Sequence, residues 1–443
     1  MNISVIGLGR VGLCMAVYLA HRGYNVVALD IDQRKLRLIK KGKSPFFEPR
    51  LEDMLNTVLR NGKIKITSKE KDVILKTDMT FLTVGTPTLP DGSVALTFIK
   101  RAAREIGYAL RSKNGYHLVI IRSTIPPGTT QNLIKPLLEK CSSKRACEDF
   151  GILVNPEFLK EGSAIHDLSN PDRVIIGEFE ERSGSIFERF IREVYGDKVH
   201  VLRMSPTEAE MVKYANNCFL AVKISFINEI ANICERLPGT DVVKIAHAIG
   251  LDPRIGAEFL RAGAGWGGSC LPKDTKALVS FSKKLGYTPK LIEAAIAVNE
   301  KQAEHVVEIA EKELSGLKGK KVSVLGLSFK PGTDDVREAV SIRIIMSLLQ
   351  KGSMVSVYDP AAISNIKKIF GDKLHYSKDV KKCLTNSECC LIITEWDEFK
   401  HLSPQDFIRL MSNPLVIDAR RIYDPERFCK ELKFRAVGLS NEK

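Results

Sequence analysis

Short runs of β-branched and aliphatic residues alternate with amphipathic stretches through the first 200 residues of the chain. Candidate strands lie at Ile3–Ile6, Val26–Leu29, Thr80–Val84, Leu118–Ile121, Ile152–Val154 and Val174–Ile176. This alternation predicts a parallel sheet covered by helices. From Thr207 to about Glu313 the strand signal disappears; Thr207–Leu237 reads as one long helix and Pro289–Leu314 as another. From Lys320 the alternation resumes, with strands at Val322–Leu325, Val355–Tyr358, Leu391–Thr394 and Val416–Asp418. The two α/β blocks open alike: Ile3-Ser-Val-Ile-Gly-Leu-Gly9 resembles Val322-Ser-Val-Leu-Gly-Leu-Ser328, and each block then reaches a strand ending in Asp, at Asp30 and Asp359. The pattern predicts two nucleotide-binding-type domains joined by a helical middle, with boundaries near 203 and 318.

Length and composition narrow this picture. A chain of 443 residues exceeds one ordinary core and suits about three domains. Hydrophobic residues at 44% and charged residues at 27% give a globular balance. No apolar run approaches the roughly 18 residues that span a bilayer, and the N-terminus runs straight into the first strand without a secretory pattern. No membrane association is expected, and the cytoplasm is the expected location. The ten cysteines scatter through apolar segments without Cys-x-x-Cys or zinc spacing, so neither a metal site nor a disulfide framework is indicated. A net charge of +14 favours an acidic ligand, but the basic residues are spread along the chain without a nucleic-acid motif, so nucleic acid is not an expected partner.

Candidate chemistry begins at Gly7-Leu-Gly9-Arg10-Val11-Gly12, between a predicted strand and a predicted helix. Gly7 permits the tight turn, Gly9 lets the backbone approach a diphosphate, and Gly12 lets helix and strand pack closely. Asp30 closes the second strand, placed to accept from a ribose 2′-OH and to repel a 2′-phosphate, which favours NAD⁺ over NADP⁺. Lys35, one turn on, is a cation that could soften that exclusion. Val84-Gly-Thr86-Pro-Thr88 and Arg122-Ser-Thr124-Ile-Pro-Pro-Gly128 follow candidate strands; they are either ligand loops at the sheet's carboxyl edge or ordinary turns. Asn155-Pro-Glu157-Phe158-Leu159-Lys160-Glu161-Gly162 offers two carboxylates four residues apart, which either handle protons or are surface charge. On the long helix, Lys213 and Asn217 project together from apolar surroundings, as a functional pair or as a lysine reaching past an apolar face.

The most informative segment is Gly263-Ala-Gly265-Trp-Gly267-Gly268-Ser269-Cys270-Leu-Pro-Lys273-Asp274. Four glycines in six positions mean a backbone that bends sharply or approaches a ligand closely. A cysteine at the edge of such a loop, followed by a lysine, fits a nucleophilic thiolate better than a core residue.

Taken in order, these motifs resemble the UDP-glucose/GDP-mannose dehydrogenase family over nearly the whole chain, and Gly-Gly-Ser-Cys-x-Pro-Lys-Asp is the most specific of them. The resemblance implies two Rossmann-like doubly wound domains joined by a central helical domain with a long helix: 1–202 binding NAD, 203–317 carrying the cysteine loop and the dimer contacts, and 318–443 binding the nucleotide sugar. It implies oxidation of a sugar C6 alcohol to a carboxylate with reduction of two NAD⁺. Cys270 matches the nucleophile that captures the aldehyde as a thiohemiacetal, later a thioester. Glu161 matches a carboxylate assisting proton transfer, Asp274 one that helps activate water, Lys213 and Asn217 the donors to oxyanionic species, and Thr124 a hydroxyl that organises water and cofactor. Implied cofactor positions are Gly7, Gly9, Arg10, Val11, Gly12, Asp30, Lys35, Thr86, Thr124, Glu161, Lys273 and Arg337. Implied substrate positions are Glu157, Phe158, Leu159, Lys160, Glu161, Lys213, Asn217, Arg254, Phe259, Gly265, Lys330 and Arg420. Arg254 matches a residue that reaches the neighbouring subunit, so a homodimer or higher homo-oligomer is implied.

Asp252-Pro-Arg254-Ile-Gly256-Ala-Glu-Phe259-Leu260 and Asn170-Pro-Asp-Arg-Val174 look like the UDP-glucose branch. GDP-mannose or a UDP-N-acetylhexosamine is the alternative substrate, and a non-catalytic NAD- and nucleotide-sugar-binding module the alternative class. The chain departs from the usual Gly-x-Gly-Tyr-Val-Gly opening, with Arg10 in place of Tyr.

Overall fold

A computed structural model describes residues 1–440, without the side chains of residues 70–72. The chain divides into two compact units, 1–216 and 217–443.

The first unit is built on an eight-stranded sheet. Its strands are β1 (Asn2–Ile6), β2 (Asn25–Leu29), β3 (Ile64–Thr67), β4 (Met79–Leu82), β5 (Leu118–Ile121), β6 (Gly151–Val154), β7 (Arg173–Glu178) and β8 (His200–Met204), in the order β3-β2-β1-β4-β5-β6-β7-β8. The central strands are covered on both faces. Leu118 and Ile120 enter one apolar cluster, Val119 and Ile121 the other, and all four are buried. The strand order reverses between β1 and β4, where doubly wound sheets bind their ligands. One feature departs from the parallel expectation. β7 pairs antiparallel with β6, Leu153 against Glu178 and Val154 against Gly177, and β8 then runs parallel to β7. The long return 155–172, with its short helix Ala164–Ser169, starts β7 beyond the carboxyl end of β6. Arg173 thereby reaches the functional edge of the sheet.

The second unit carries a six-stranded, wholly parallel sheet: β9 (Lys321–Leu325), β10 (Met354–Tyr358), β11 (His375–Tyr376), β12 (Cys389–Ile392), β13 (Leu415–Asp418) and β14 (Lys433–Ala436), in the order β11-β10-β9-β12-β13-β14. Its two faces are again both apolar, with Val322 and Val324 in one cluster and Leu325 in the other. The resemblance between the two openings is a resemblance of devices. Leu8 N–H donates to Asp30 Oδ2 at 2.7 Å in the first sheet, and Leu327 N–H donates to Asp359 Oδ2 at 2.7 Å in the second. Each Asp ends its strand and fixes the turn that follows the first strand.

Among the described residues no strand lies between β8 and β9; that stretch holds the helices Pro206–Cys234, Val242–Gly250, Leu271–Lys284 and Lys290–Leu314. The expected fold class is therefore the observed one: two sheet domains with a helical middle, whose 29-residue first helix carries the division at 216.

Candidate active site

In the first unit, the turn after β1 meets the requirements of a diphosphate. Gly7 has φ +97°, and a methyl there would press on the Thr83–Val84 backbone; a methyl on Gly12 would collide with the Gly7 carbonyl. Nothing stands within 4 Å of the position a Cβ would take on Gly9, so that side of the turn is open. The helix Arg10–His21 begins directly after it, its N-terminus favouring an anion. A cavity of about 340 Å³ opens beside the turn, lined by Gly7, Gly9, Asp30, Lys35, Val84 and Phe98 among others. The residues present therefore fit a dinucleotide. Asp30 is buried and already engaged: Leu8 N–H and Lys35 Nζ reach Oδ2 at 2.7 Å each, and Asp32 N–H reaches Oδ1 at 2.9 Å. Lys35 thus forms an ion pair with the carboxylate expected to face the ribose.

The two loops left open by sequence are tied together. Thr86 Oγ1 donates to the Thr124 carbonyl at 2.9 Å, and Ser123 Oγ donates to the Val84 carbonyl at 2.7 Å. Both are joined elements of one edge, not separate surface turns.

The segment 155–162 gains its order from two cations. Lys213 Nζ donates to the Glu157 carbonyl at 2.6 Å and lies 3.0 Å from Glu157 Oε1, with both side chains less than a tenth exposed. Burial alone would raise the Glu157 pKa, but the Lys213 ammonium, the Leu159 N–H (2.7 Å to Oε2) and Arg122 outweigh it and hold the carboxyl below its ordinary range. Phe158 packs beneath both Lys213 (5.4 Å to the ring centroid) and Arg173 (4.2 Å). Glu161 lies 3.3 Å from Arg10 Nε. Lys160 is an exposed residue 3.7 Å from Asp167. The carboxylate set against Lys213 is thus Glu157, four residues before Glu161. Arg122 and Asn155, each directly after its strand, are hydrogen-bonded to each other at the ends of β5 and β6. Their only sequence signal is that each directly follows a strand.

In the second unit the glycine-rich bend is locked by polar groups on two helices. Asn228 Oδ1 accepts Gly263 N–H at 2.8 Å, Asn299 exchanges bonds of 2.7 and 3.0 Å with Trp266, and Ser225 accepts the Trp266 indole N–H at 3.0 Å. Gly265 (φ +107°) could not carry a side chain without striking Asn299, nor could Gly268 (φ +88°) without striking the Phe329 ring. The bend delivers Cys270 to the N-cap of Leu271–Lys284. There the thiol is half-buried, with Ser269 Oγ 3.6 Å away, whereas Cys14, Cys218, Cys383, Cys389 and Cys390 are sealed in apolar packing that pushes their thiols up. A helix N-terminus stabilises a thiolate. Asp274, one turn into the helix and 1% exposed, accepts from Asn217 Nδ2 at 2.6 Å and from Lys273. Cys270, Asn217, Lys273 and Asp274 therefore form one constellation.

The loops of the second sheet converge on the same bend. Gly268 N–H donates to the Arg337 carbonyl at 3.1 Å, Phe329 lies against Gly268 and carries Lys330 beside its ring (5.9 Å), and Arg420 Nη1 donates to the Gly265 carbonyl at 3.3 Å. The Arg337 side chain is held by Asp335 at 2.6 Å. Arg254 behaves differently: its side chain is 87% exposed and rests on its neighbour Asp252 at 2.6 Å. Phe259 adopts φ +65°, unusual for a bulky residue, just before the bend. Among the described residues no group of His, Cys, Asp and Glu could hold a metal ion.

Profiles of the NAD-binding, central and UDP-binding domains of the UDP-glucose/GDP-mannose dehydrogenase family match residues 1–197, 207–301 and 323–425. The chain belongs to this family. Within it, the chain is 42% identical over 425 residues to the UDP-glucose 6-dehydrogenase TuaD of Bacillus subtilis, covering 96% of this chain and 90% of that one. It is 41% identical to the UDP-glucose 6-dehydrogenase AglM of Haloferax volcanii, covering 95% and 97%. Among solved family structures, a UDP-glucose dehydrogenase from Pyrobaculum islandicum superposes with a TM-score of 0.91 at 38% identity, covering 99% and 98% of the two chains. A UDP-D-ManNAc dehydrogenase from Pyrococcus horikoshii gives 0.86 at 29% identity over 99% of each. The dehydrogenase family thus accounts for the sheet, the bend and the cysteine together.

Proposed function

We propose that this dehydrogenase oxidises UDP-glucose to UDP-glucuronate, with Cys270 as covalent nucleophile. The observation that carries the reading is the half-buried thiol at a helix N-terminus, one turn from an Asp274 that is buried yet bonded by Asn217 and Lys273. The relatives at about 40% identity act on UDP-glucose by name, which favours that sugar over GDP-mannose or a UDP-N-acetylhexosamine. NAD⁺, held by the turn Gly7–Gly12 and by Asp30, supplies the hydride acceptor for both oxidations.

To the chain's own residues the reading assigns the following work. The Cys270 thiolate adds to the C6 aldehyde, giving a thiohemiacetal, and so keeps the half-oxidised sugar from leaving. Lys213 and Asn217 are the donors to oxygens that gain negative charge. After the second oxidation the sugar is a thioester; Asp274 takes a proton from water, which adds to the acyl carbon and expels the thiolate. Glu161 and Glu157 are the carboxylates of the sugar-handling loop, and Thr124 places water and cofactor. Lys330, Arg337 and Arg420 supply positive charge to diphosphates. We assign 1–202, 203–317 and 318–443 to cofactor binding, assembly with the cysteine loop, and nucleotide-sugar binding. The reading places the enzyme in the cytoplasm, as a homodimer or higher homo-oligomer; among the described residues no helix is long and apolar enough to cross a membrane.

The test is the NADH yield with UDP-glucose, GDP-mannose and a UDP-N-acetylhexosamine side by side. Two NADH per UDP-glucose are expected from the native chain. Cys270→Ser is expected to lower carboxylate formation by at least about 10³-fold while leaving NAD⁺ binding intact. Undiminished carboxylate formation by that variant would end the covalent reading, and ligand binding without NADH from any sugar would make the chain a binding module.

A further inference from the structure

Three segments of the first unit meet at one guanidinium. Arg10 follows Gly9 directly, so its backbone belongs to the cofactor turn. Its side chain is committed elsewhere: Nε lies 3.3 Å from Glu161 Oε2, Nη1 donates to the Phe47 carbonyl at 3.2 Å, and the guanidinium stands over the Phe46 ring at 4.9 Å. The side chains of the pair are 17% and 13% exposed, so water screens them less than it does a surface pair. The neighbouring Glu48 is buried, and its carboxylate accepts the N–H groups of Gly162 and Ala164 at 2.8 Å each. Residues 46–48 therefore hold Arg10 through one set of atoms and the backbone just after Glu161 through another.

The charges around Glu161 make Arg10 more than a strut. Glu48 adds a second carboxylate to this corner. Lys160 and Asp167, from the same loop and the following helix, face each other at 3.7 Å. Cys14, on the helix that Arg10 begins, has its thiol pushed up by burial and by Glu48, and stays uncharged. Arg10 is the cation paired with Glu161 at the point where the sequence departs from the opening Gly-x-Gly-Tyr-Val-Gly.

We propose that Arg10 is a positioning residue for the oxidation, holding the Glu161 carboxylate oriented and ionised and so tying the cofactor turn to the sugar-handling loop. The assignment rests on Glu161 being a proton-transfer group. It differs from a plain diphosphate contact, which would act on cofactor affinity alone.

The experiment compares the full-length enzyme with Arg10→Met, Arg10→Lys and Glu161→Gln by steady-state NADH formation with UDP-glucose between pH 5.5 and 9. Arg10→Met is expected to lower kcat on the order of tenfold, with KM for NAD⁺ changed by less than about threefold. The acid limb of its kcat/KM profile is expected to move up by about one pH unit, because an opposite charge has been taken from beside a carboxylate. Arg10→Lys is expected to return the limb toward the native position. A tenfold rise in KM for NAD⁺ with kcat and the pH profile unmoved overturns the proposal in favour of a diphosphate contact, and native behaviour in every parameter overturns it outright. Should Arg10→Met fail to fold, Arg10→Gln, which can still donate to the Phe47 carbonyl, carries the same comparison. If Glu161→Gln keeps native kcat, the fault lies in the role given to Glu161, whatever Arg10 does.

Discussion

His117, the residue before β5, is fully buried between a hydroxyl and a carbonyl: Nε2 meets Thr80 Oγ1 at 2.7 Å, Nδ1 meets the Thr77 carbonyl at 2.9 Å, and Thr80 Oγ1 continues to Ser4 at 2.6 Å. Burial, with Lys113 nearby, lowers its pKa to about 3. The sign follows directly. The folded pKa lies below the unfolded value of about 6.5, so the neutral ring's contribution to stability is complete above about pH 6.5 and is lost as pH falls toward 3. Each pH unit inside that window is worth up to about 1.4 kcal/mol. His117→Gln should be less stable than the native chain at pH 7.5, because the polar row is broken. The gap should narrow, and can reverse, by pH 5. Urea unfolding at the two pH values checks this; a gap that stays constant would mean that the ring does not titrate with unfolding. The same scale shows why sequence reading stops short at single side chains. Cys270 was legible because glycines cannot be hidden, whereas the partners of Arg10 and Lys213 come from residues 36 to 151 positions away and leave no local pattern.

Between elements, Glu210 clamps the loop after β5 in a way no motif announced. It sits near the start of the helix Pro206–Cys234, one turn before Lys213, is buried, and accepts from Gly128 N–H (2.5 Å), Thr130 N–H (2.9 Å) and Thr130 Oγ1 (2.6 Å). The loop that carries Thr124 is thereby pinned to the helix that carries Lys213. Burial nevertheless dominates and raises the Glu210 pKa to about 7. For an acid with a raised folded pKa, the stability contribution is present at low pH and is lost as pH climbs from the unfolded value, about 4.3, through about 7. This slope opposes that of His117. Glu210→Gln should therefore gain on the native chain as pH rises from 5 to 8, and Glu210→Ala, which strands three donors, should lose about 3 kcal/mol near pH 5, a deficit that narrows by the same linkage as pH rises. Denaturation midpoints of both variants test the clamp; an Ala variant of native stability would remove it. Elements with an apolar core on both faces were legible from sequence, among them β1, β5 and β9. The edge strands β3, β8, β11 and β14 were not, since a strand buried on one side needs few apolar residues: β8 has none buried. The antiparallel turn of β7 was equally silent, because its direction is fixed by the path of residues 155–172 rather than by its own composition.

At the scale of the whole molecule, the second unit leaves an apolar row in water. Phe219 (63% exposed), Phe226 (48%) and Ile233 (54%) stand seven residues apart on the helix Pro206–Cys234, and so share one face, while Cys218, Ile227 and Cys234 are buried. Covering such side chains is worth about 1.5–3 kcal/mol each, and a second copy offering the same row gives a self-complementary, two-fold contact. Phe226→Asp should therefore shift the mass measured by light scattering toward the 49.3 kDa of one chain. The proposed role of Arg254 would tie such an assembly to activity. Its guanidinium is exposed and, among the described residues, held against Asp252 in the same turn, the placement expected of a residue that serves a neighbouring subunit. Arg254→Ala and Cys270→Ser should each be nearly inactive as homodimers. If Arg254 acts across the interface, a mixed dimer has one site with both native residues, so equal amounts allowed to exchange should regain about a quarter of the native sites. If Arg254 serves its own chain, one site of every mixed dimer lacks Arg254 and the other lacks Cys270, so no activity returns on mixing.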